Sequence, residues 1–293
     1  MKKFLIELLC LMVLAGCSQA PVIPETTPPT TIPVTTIPPT TQPIITGWVE
    51  QDGLKYYYDE TGAPVSGWQE IDGLTYYFLD NGSMATGEVM IEETTYHFTS
   101  QGQRVILVNP WNYIPDDYIP DLVNLPSPYG VEGSVVAREC YEDLVAMITD
   151  CNAVCPQAMV ASSYRSHEQQ TKNYNRKVNY YLGLGYSQAD AEKEAATIIA
   201  IPGTSEHQLG LAVDIVDTRL WALEWEQENL PAQKWLMEHC WEYGFILRYP
   251  KDKIDETGII YEPWHYRYVG KELSAELHSL GITLEVYLQN LTR

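Results

Sequence analysis

Hydrophobic and polar positions change their period along the chain, and each change marks a different kind of segment. Met1-Lys2-Lys3 is followed by the apolar run Phe4 to Leu14, a cationic start and a stretch too short for a comfortable membrane span, as in a secretory signal. From Ser18 to Thr46 nearly every residue is Pro, Thr or Ile and Glu25 is the only charge, so no core can form. That segment should run extended as a spacer, at about 3.1 Å per residue. A twenty-residue repeat follows. Gly47-Trp48 opens a unit with Asp52-Gly53, Tyr56-Tyr57-Tyr58 and Gly62; Gly67-Trp68 opens the next with Asp72-Gly73, Tyr76-Tyr77-Phe78 and Gly82. A weaker third copy from Gly87 keeps Tyr96, Phe98 and Gly102, with Glu88 in place of the Trp. Each unit reads as two short aromatic strands around a turn, and because a lone hairpin is marginal in water, consecutive hairpins must stack.

Val108 to Tyr129, rich in Pro, Asn and Asp, reads as irregular chain. Beyond it the period becomes helical: Val136, Cys140, Leu144, Ile148 and Cys151 predict a helix over 134–152. Met159 to Ala161 predicts a short buried strand, and further helices start at His167 and span 188–199 and 232–243. Residues 211–216 and 261–269 predict strands. Helices and strands without regular βαβ alternation predict an α+β domain. The organisation expected is signal (1–17), spacer (18–46), an all-β hairpin-repeat module (47–105) and a catalytic domain (106–293).

Lys and Arg total 18 against 39 Asp and Glu, a formal charge of −21, which removes the cationic attraction that nucleic-acid binders use. Charges beyond about 8 Å are screened at physiological salt, so an anionic substrate must meet a local cation. The signal closes with Leu14-Ala15-Gly16-Cys17, which resembles a bacterial lipobox and implies a lipidated Cys17 as mature N-terminus, with membrane attachment by that lipid alone. Cys140, Cys151, Cys155 and Cys240 then remain in an oxidising compartment. Four cysteines allow three full pairings. Cys140 and Cys151 fall about 16 Å apart on one predicted helix and should not join each other; the other pairings stay open.

The chemistry concentrates in two stretches. In Pro202-Gly-Thr-Ser-Glu-His-Gln-Leu-Gly-Leu-Ala-Val-Asp214, alternation puts Leu211, Val213 and Ile215 on one face of a strand and Ala212 and Asp214 on the other. Asp214 thus leaves the core face beside a residue with almost no side chain, and a bend at Gly210 can fold His207 over it. About fifty residues later comes Glu262-Pro-Trp-His265. Two imidazoles and a carboxylate suit a catalytic zinc with one position left for water, and a carboxylate off the metal can take that water's proton. Glu262 is the candidate base. A spacing of three would place it opposite His265 on a straight strand, so the strand must bend, and Pro263 is compatible with that.

At these residues the chain resembles the VanY-type D-alanyl-D-alanine carboxypeptidases, within the lysostaphin-like, D-Ala-D-Ala and hedgehog-like zinc folds. The likeness spans about Ser134 to Gly270 and includes Ser162-Ser-Tyr-Arg-Ser166, Gln170 and Gly244-Phe245-Ile-Leu-Arg-Tyr249-Pro. It implies a small antiparallel sheet with flanking helices, zinc held by His207, Asp214 and His265, and proton transfer by Glu262. It further implies recognition of the substrate's terminal carboxylate and nearby backbone by Arg165, Gln170, Ser205 and Tyr249, with Trp264 lining the site. Independently, a carboxypeptidase must grip a free carboxylate, and the guanidinium fork of Arg165 suits that task. His97, His167, His239 and His278 lack companions at ligand spacing and read as surface or packing residues. The hairpin units resemble choline- or glucan-binding wall repeats, in which Trp and Tyr, here Trp48, Tyr57, Trp68 and Tyr77, cage a quaternary ammonium or a sugar face. The expectation is an enzyme on the outer face of the bacterial membrane that trims peptidoglycan stem peptides, with choline-bearing or glycan polymers as repeat ligands. Its rivals are an L,D-carboxypeptidase or endopeptidase on the same fold, and a wall-binding protein with a non-catalytic zinc domain.

Overall fold

The computed structural model describes residues 44–291. The signal, Cys10, Cys17 and most of the spacer lie outside the described residues. Three hairpins come first: β1 (Gly47–Gln51) with β2 (Leu54–Tyr58), β3 (Gly67–Ile71) with β4 (Leu74–Phe78), and β5 (Gly87–Ile91) with β6 (Thr94–Phe98). Their register sets Trp48 opposite Tyr57 and Trp68 opposite Tyr77. In the third hairpin Glu88 faces His97, and the two side chains meet at 3.5 Å. The hairpins stack, with Met84 N–H donating to the Lys55 carbonyl at 2.7 Å and Phe78 fully buried between units. The third sheet is widened by β7 (Arg104–Val105).

The remaining chain forms β8 (Leu122–Asn124), β9 (Val135–Ala137), α1 (Arg138–Val154), β10 (Ala158–Ser162), α2 (His167–Gly183) and α3 (Gln188–Ala196). It continues through β11 (Ala212–Asp217), α4 (Pro231–His239), β12 (Phe245–Leu247), α5 (Ile254–Thr257), β13 (His265–Tyr268), α6 (Lys271–Leu280) and α7 (Leu284–Leu291). Side-chain caps from Ser166 and Ser187 start α2 and α3. The first long helix begins four residues later than its period suggests. Residues 135–137 instead pair with β8, and Ala137 N–H reaches the Gly210 carbonyl at 2.8 Å. A short strand running into a helix can bury Val136 and Cys140 together as well as one helix can. The irregular passage before Tyr129 likewise contains a strand, β8. The helix predicted over 232–243 splits into α4 and a 3-10 turn, Cys240–Tyr243.

An antiparallel sheet in the order β10-β11-β13-β12 organises this half, as the α+β reading anticipates. One face, with Val160, Val213, Ile215 and Tyr266, packs on Leu144, Met147 and Ile148 of α1 and Leu236 of α4. That core also takes Cys140, Cys151 and Cys240. The expected disulfides are absent: all four cysteines in the described residues are free thiols. Cys140 and Cys151 lie against different carbonyls, those of Ala137 and Ala232, and burial pushes the thiols of Cys140, Cys151 and Cys240 up to about 12. They behave as small apolar packing groups.

A second core joins α6 and α7 to Val105. Here α7 also meets the third hairpin: a Cβ on Gly87 would lie 2.8 Å from the Leu291 carbonyl oxygen, and Ser100 N–H donates to the Tyr287 hydroxyl at 3.3 Å. The close approach requires glycine at position 87, whose φ is +71°.

The three hairpin turns place both central residues at positive φ: Asp52-Gly53, Asp72-Gly73 and, in the weak copy, Glu92-Glu93 at 47° and 69°. A glutamate pair in that conformation is strained, because the left-handed region costs about 1–2 kcal/mol per residue for a side chain with Cβ. Replacing Glu93 with Gly should therefore stabilise the protein by about 1 kcal/mol, read as an increase in the urea midpoint; an unchanged or lower midpoint would contradict the turn geometry.

Candidate active site

The site lies on the sheet face turned away from α1. Asp214 and His265 are directly opposed on β11 and β13, and Ala212 and Arg267, two positions along, form the next pair on the same face. Because Val213 and Tyr266 point into the core, alternation obliges Asp214 and His265 to share the other face. His207 arrives on a 3-10 turn, Glu206–Leu209, closed by Gly210 at φ +71°. A Cβ on Gly210 would lie 2.9 Å from Ala137 N, so the bend that carries His207 over the sheet is open only to glycine.

His207 Nε2 is 3.3 Å from Asp214 Oδ2, and His265 Nδ1 is 3.0 Å from Asp214 Oδ1. The imidazole centroids stand 5.0 Å apart with the rings nearly perpendicular, and all three residues are buried. One donor atom from each residue lies within 4.8 Å of the other two. His207 Nδ1 contacts the Ser163 carbonyl oxygen at 2.8 Å and must carry its proton there, leaving Nε2 as a lone-pair donor. Two buried nitrogens and a carboxylate oxygen converging on one point fit a zinc ion with an open coordination position. Burial and the nearby Arg165 and His265 depress the His207 pKa against the pull of Asp214, so that ring is neutral as a ligand must be. Burial alone would lower His265 and raise Asp214, but neighbouring charges dominate: Asp214 and then Glu206 raise His265 to about 9, a proton that a bound metal would displace, while His207 and then His265 hold Asp214 well below the usual carboxylate range.

The strand predicted from Tyr261 begins only at His265. A turn precedes it, in which His265 N–H donates to the Glu262 carbonyl at 3.2 Å and Glu262 N–H to the Tyr249 carbonyl at 3.1 Å. The turn supplies the bend required at Pro263 and brings Glu262 Oε2 to 3.7 Å from His265 Nδ1. Burial lifts the Glu262 carboxyl to about 7; Asp214 adds to the rise, while His265 and Arg165 oppose it. A proton acceptor poised near neutrality thus stands beside the three donors.

These groups line a cavity of about 500 Å³, together with Arg165, Ser205, Tyr249 and Trp264. Arg165 follows β10, and its guanidinium donates to Gln170 Oε1 at 2.7 Å and weakly to Ser162 Oγ at 3.4 Å. No carboxylate among the described residues pairs with it, so its remaining donors are available to a ligand. Gln170 does not line the cavity. It is fully buried in the first turns of α2 and holds Arg165 from behind, a placement that follows from the helix turning away after Ser166. The cavity mouth adds Trp225, Glu224 and Glu226, none of which the sequence pattern singled out.

Also missed was a buried charge network next to the site. Glu206 Oε1 accepts from Arg248 Nε at 2.8 Å and Arg267 Nη1 at 2.9 Å, and Arg248 continues to Glu285 at 2.9 Å. The only signal for Glu206 was its position between Ser205 and His207. The other histidines do sit elsewhere, His167 near Asp116, His239 on Glu242 and His278 stacked on Trp241. Of the repeat aromatics, Trp48 packs edge-on against Tyr57 and Tyr76, and Trp68 against Tyr77 and Tyr96, leaving the two indoles 42% and 39% exposed. The Arg104 guanidinium stands 5.5 Å from the Trp68 ring and 5.0 Å from Tyr96, so the second platform already carries a cation from the protein itself.

Sheet, converging donors and adjacent carboxylate define a metallopeptidase-like site. Residues 133–271 match the family model described as VanY, D-alanyl-D-alanine carboxypeptidase; residues 65–108 match a choline-binding repeat and 46–63 a putative cell wall binding repeat. A D-alanyl-D-alanine carboxypeptidase of Enterococcus faecalis is 41% identical over 64% of this chain and 67% of its own length. A putative carboxypeptidase, YodJ, of Bacillus subtilis is 31% identical over 63% of this chain and 64% of its own. Among solved structures, a variant of the vancomycin-resistance D,D-pentapeptidase VanY in complex with Zn(II) is 40% identical, covers 62% of this chain and 97% of its own, and superposes with a TM-score of 0.55. The LdcB LD-carboxypeptidase is 28% identical over 76% of this chain and 94% of its own, with a TM-score of 0.56. The chain belongs to the VanY D-alanyl-D-alanine carboxypeptidase family.

Burial alone would raise the Glu206 pKa, but Arg248 and Arg267 outweigh it and hold the carboxyl well below its ordinary range of about 4.3. A depressed folded-state pKa gives stability that is present above the unfolded pKa and lost as pH falls below it. Arg248→Met should cost about 3–5 kcal/mol at pH 7, measured by urea denaturation. The stability difference from wild type should shrink as the pH is taken from about 5 toward 3; a constant difference would contradict the ion pair.

Proposed function

We propose that residues 106–293 act as a zinc-dependent carboxypeptidase that removes the C-terminal D-amino acid, D-Ala, from peptidoglycan stem peptides. The observation that carries this reading is the presence in one cavity of three converging donors, a carboxylate with a pKa of about 7, and a half-buried arginine that pairs with no carboxylate among the described residues. In this reading His207, Asp214 and His265 hold the ion. When bound there, zinc would lower the pKa of a water toward neutrality and polarise the scissile carbonyl. Arg165, held by Gln170, grips the terminal carboxylate, and Ser205 and Trp264 line the remaining wall. Glu262 takes a proton from the attacking water and returns it to the amine that leaves. Tyr249, whose phenol burial and the neighbouring Glu206 keep protonated, can donate to the developing oxyanion.

The need for a terminal carboxylate separates this reading from an endopeptidase, and a structural zinc domain would have no use for Glu262. Likeness to an LD-carboxypeptidase supports a second reading, cleavage of the L,D bond in a tetrapeptide stem. The hairpins of residues 47–105 would hold the enzyme at choline-bearing or glycan wall polymers through Trp48, Tyr57, Trp68 and Tyr77. The Leu14-Ala15-Gly16-Cys17 motif supports a lipid anchor at Cys17, on the outer face of the membrane.

Incubating the zinc-loaded protein with synthetic penta- and tetrapeptide stems and weighing the products tests the assignment. Conversion of penta- to tetrapeptide is expected; tripeptide alone would select the L,D reading, and no product from either would reject both. Glu262→Gln should lower kcat by about 10³-fold with zinc content unchanged, and retained turnover would remove Glu262 from the mechanism. As the base must be deprotonated, kcat/KM of the wild type should fall with decreasing pH, with an acid limb at or below about pH 7. Arg165→Met should lower kcat/KM about 10- to 100-fold on free-acid stems and have little effect on C-terminally amidated ones.

A further inference from the structure

Two fully enclosed polar atoms beside the metal-donor set, Glu206 Oε2 and His265 Nε2, have no hydrogen-bond partner among the described residues, and they face each other at 3.7 Å. Buried polar atoms left alone are rare, and a mutually facing donor and acceptor a few tenths of an ångström beyond bonding distance describe one interaction rather than two defects. The other Glu206 oxygen is committed, since Oε1 accepts from both Arg248 and Arg267. The carboxylate can therefore neither rotate away nor approach from another side. On the far edge of the ring, Nδ1 is the atom turned to Asp214 and Glu262.

From this placement we propose that Glu206 is a positioning residue, resting on the zinc-ligand reading given above. It receives the Nε2 proton of His265 and so fixes this imidazole as the tautomer whose Nδ1 lone pair faces the metal position. The need arises because the two histidines present opposite nitrogens. His207 is set by a backbone carbonyl, that of Ser163, but no carbonyl among the described residues bonds Nε2 of His265. A neutral amide could not replace the carboxylate: turned to accept from His265, it would point its NH₂ at two guanidinium groups. Arg248 and Arg267 make an ionised Glu206 tolerable in a dry position, and Glu285 on α7 satisfies the rest of Arg248. This is the carboxylate–histidine relation that commonly sets metal-ligand orientation, built here from the residue immediately before the first ligand.

The experiment compares full-length wild type, Glu206→Gln and Glu285→Gln. Glu285→Gln disturbs the same charge network without touching His265. Zinc affinity is read by competition with a chromophoric chelator, and the state of His265 by long-range ¹H–¹⁵N correlation spectra of the zinc-loaded proteins. Expected are a 10- to 100-fold weaker zinc affinity in Glu206→Gln and an affinity within twofold of wild type in Glu285→Gln, even where both melt earlier. Wild type should show a His265 Nε2 proton protected from exchange with water. Equal affinity in folded Glu206→Gln, or an equal loss in both variants, would overturn the proposal. Should Glu206→Gln not fold, the wild-type spectrum decides alone: a rapidly exchanging Nε2 proton rejects the positioning role. A failure of zinc to bind wild type at all would instead remove the ligand assignment beneath it.

Discussion

The register between β11 and β13 is the constraint on which the site rests. Opposing Asp214 to His265 places a carboxylate and an imidazole on one sheet face at contact distance, and the core residues on either side, Val213 and Tyr266, prevent either strand from turning over. A slip by one position would exchange the two faces and drive both polar side chains into the apolar layer against α1. The hydrophobic core therefore does more than stabilise the fold. It determines which atoms can meet.

Around that pair, each further group is brought in by a local device with its own physical cause. Gly210 permits a left-handed bend that delivers His207; the turn ahead of β13 delivers Glu262; the end of β10 delivers Arg165. The site is expensive in electrostatic terms, because Glu206, Asp214, His207, His265, Arg248 and Arg267 are all removed from water. It is tolerated because charges of both signs are matched within hydrogen-bonding distance, and because the carboxyl that lacks a strong partner, Glu262, responds with a raised pKa.

Much of this was legible in the sequence, for identifiable reasons. Strict alternation through Leu211–Ile215 sorted Asp214 from the core, and the three-residue spacing of Glu262 and His265 demanded a bend where one is found. Helix starts were less legible, since Val136 and Cys140 suit either a helix or a strand entering one. Gln170 belongs to the site through Arg165 rather than through the cavity, a distinction that depends on the direction in which α2 leaves Ser166. Glu206 was hidden for a deeper reason. A glutamate next to His207 reads as a solvated charge until two arginines, 42 and 61 residues further on, are known to surround it. The cysteines misled in the opposite sense, because their number suggested cross-links while their environments made them filler.

The seam between α7 and the third hairpin bears on how the molecule would work on an insoluble, cross-linked polymer. Gly87 against Leu291, and Ser100 against Tyr287, join the aromatic hairpins to the body that contains the cleft without an intervening hinge. Any strand held by the hairpins would then meet the cleft at a constant offset. The enzyme would act as a ruler, with its sampling of stems near a tethering point set by the spacing of the polymer and not by the swing of a linker.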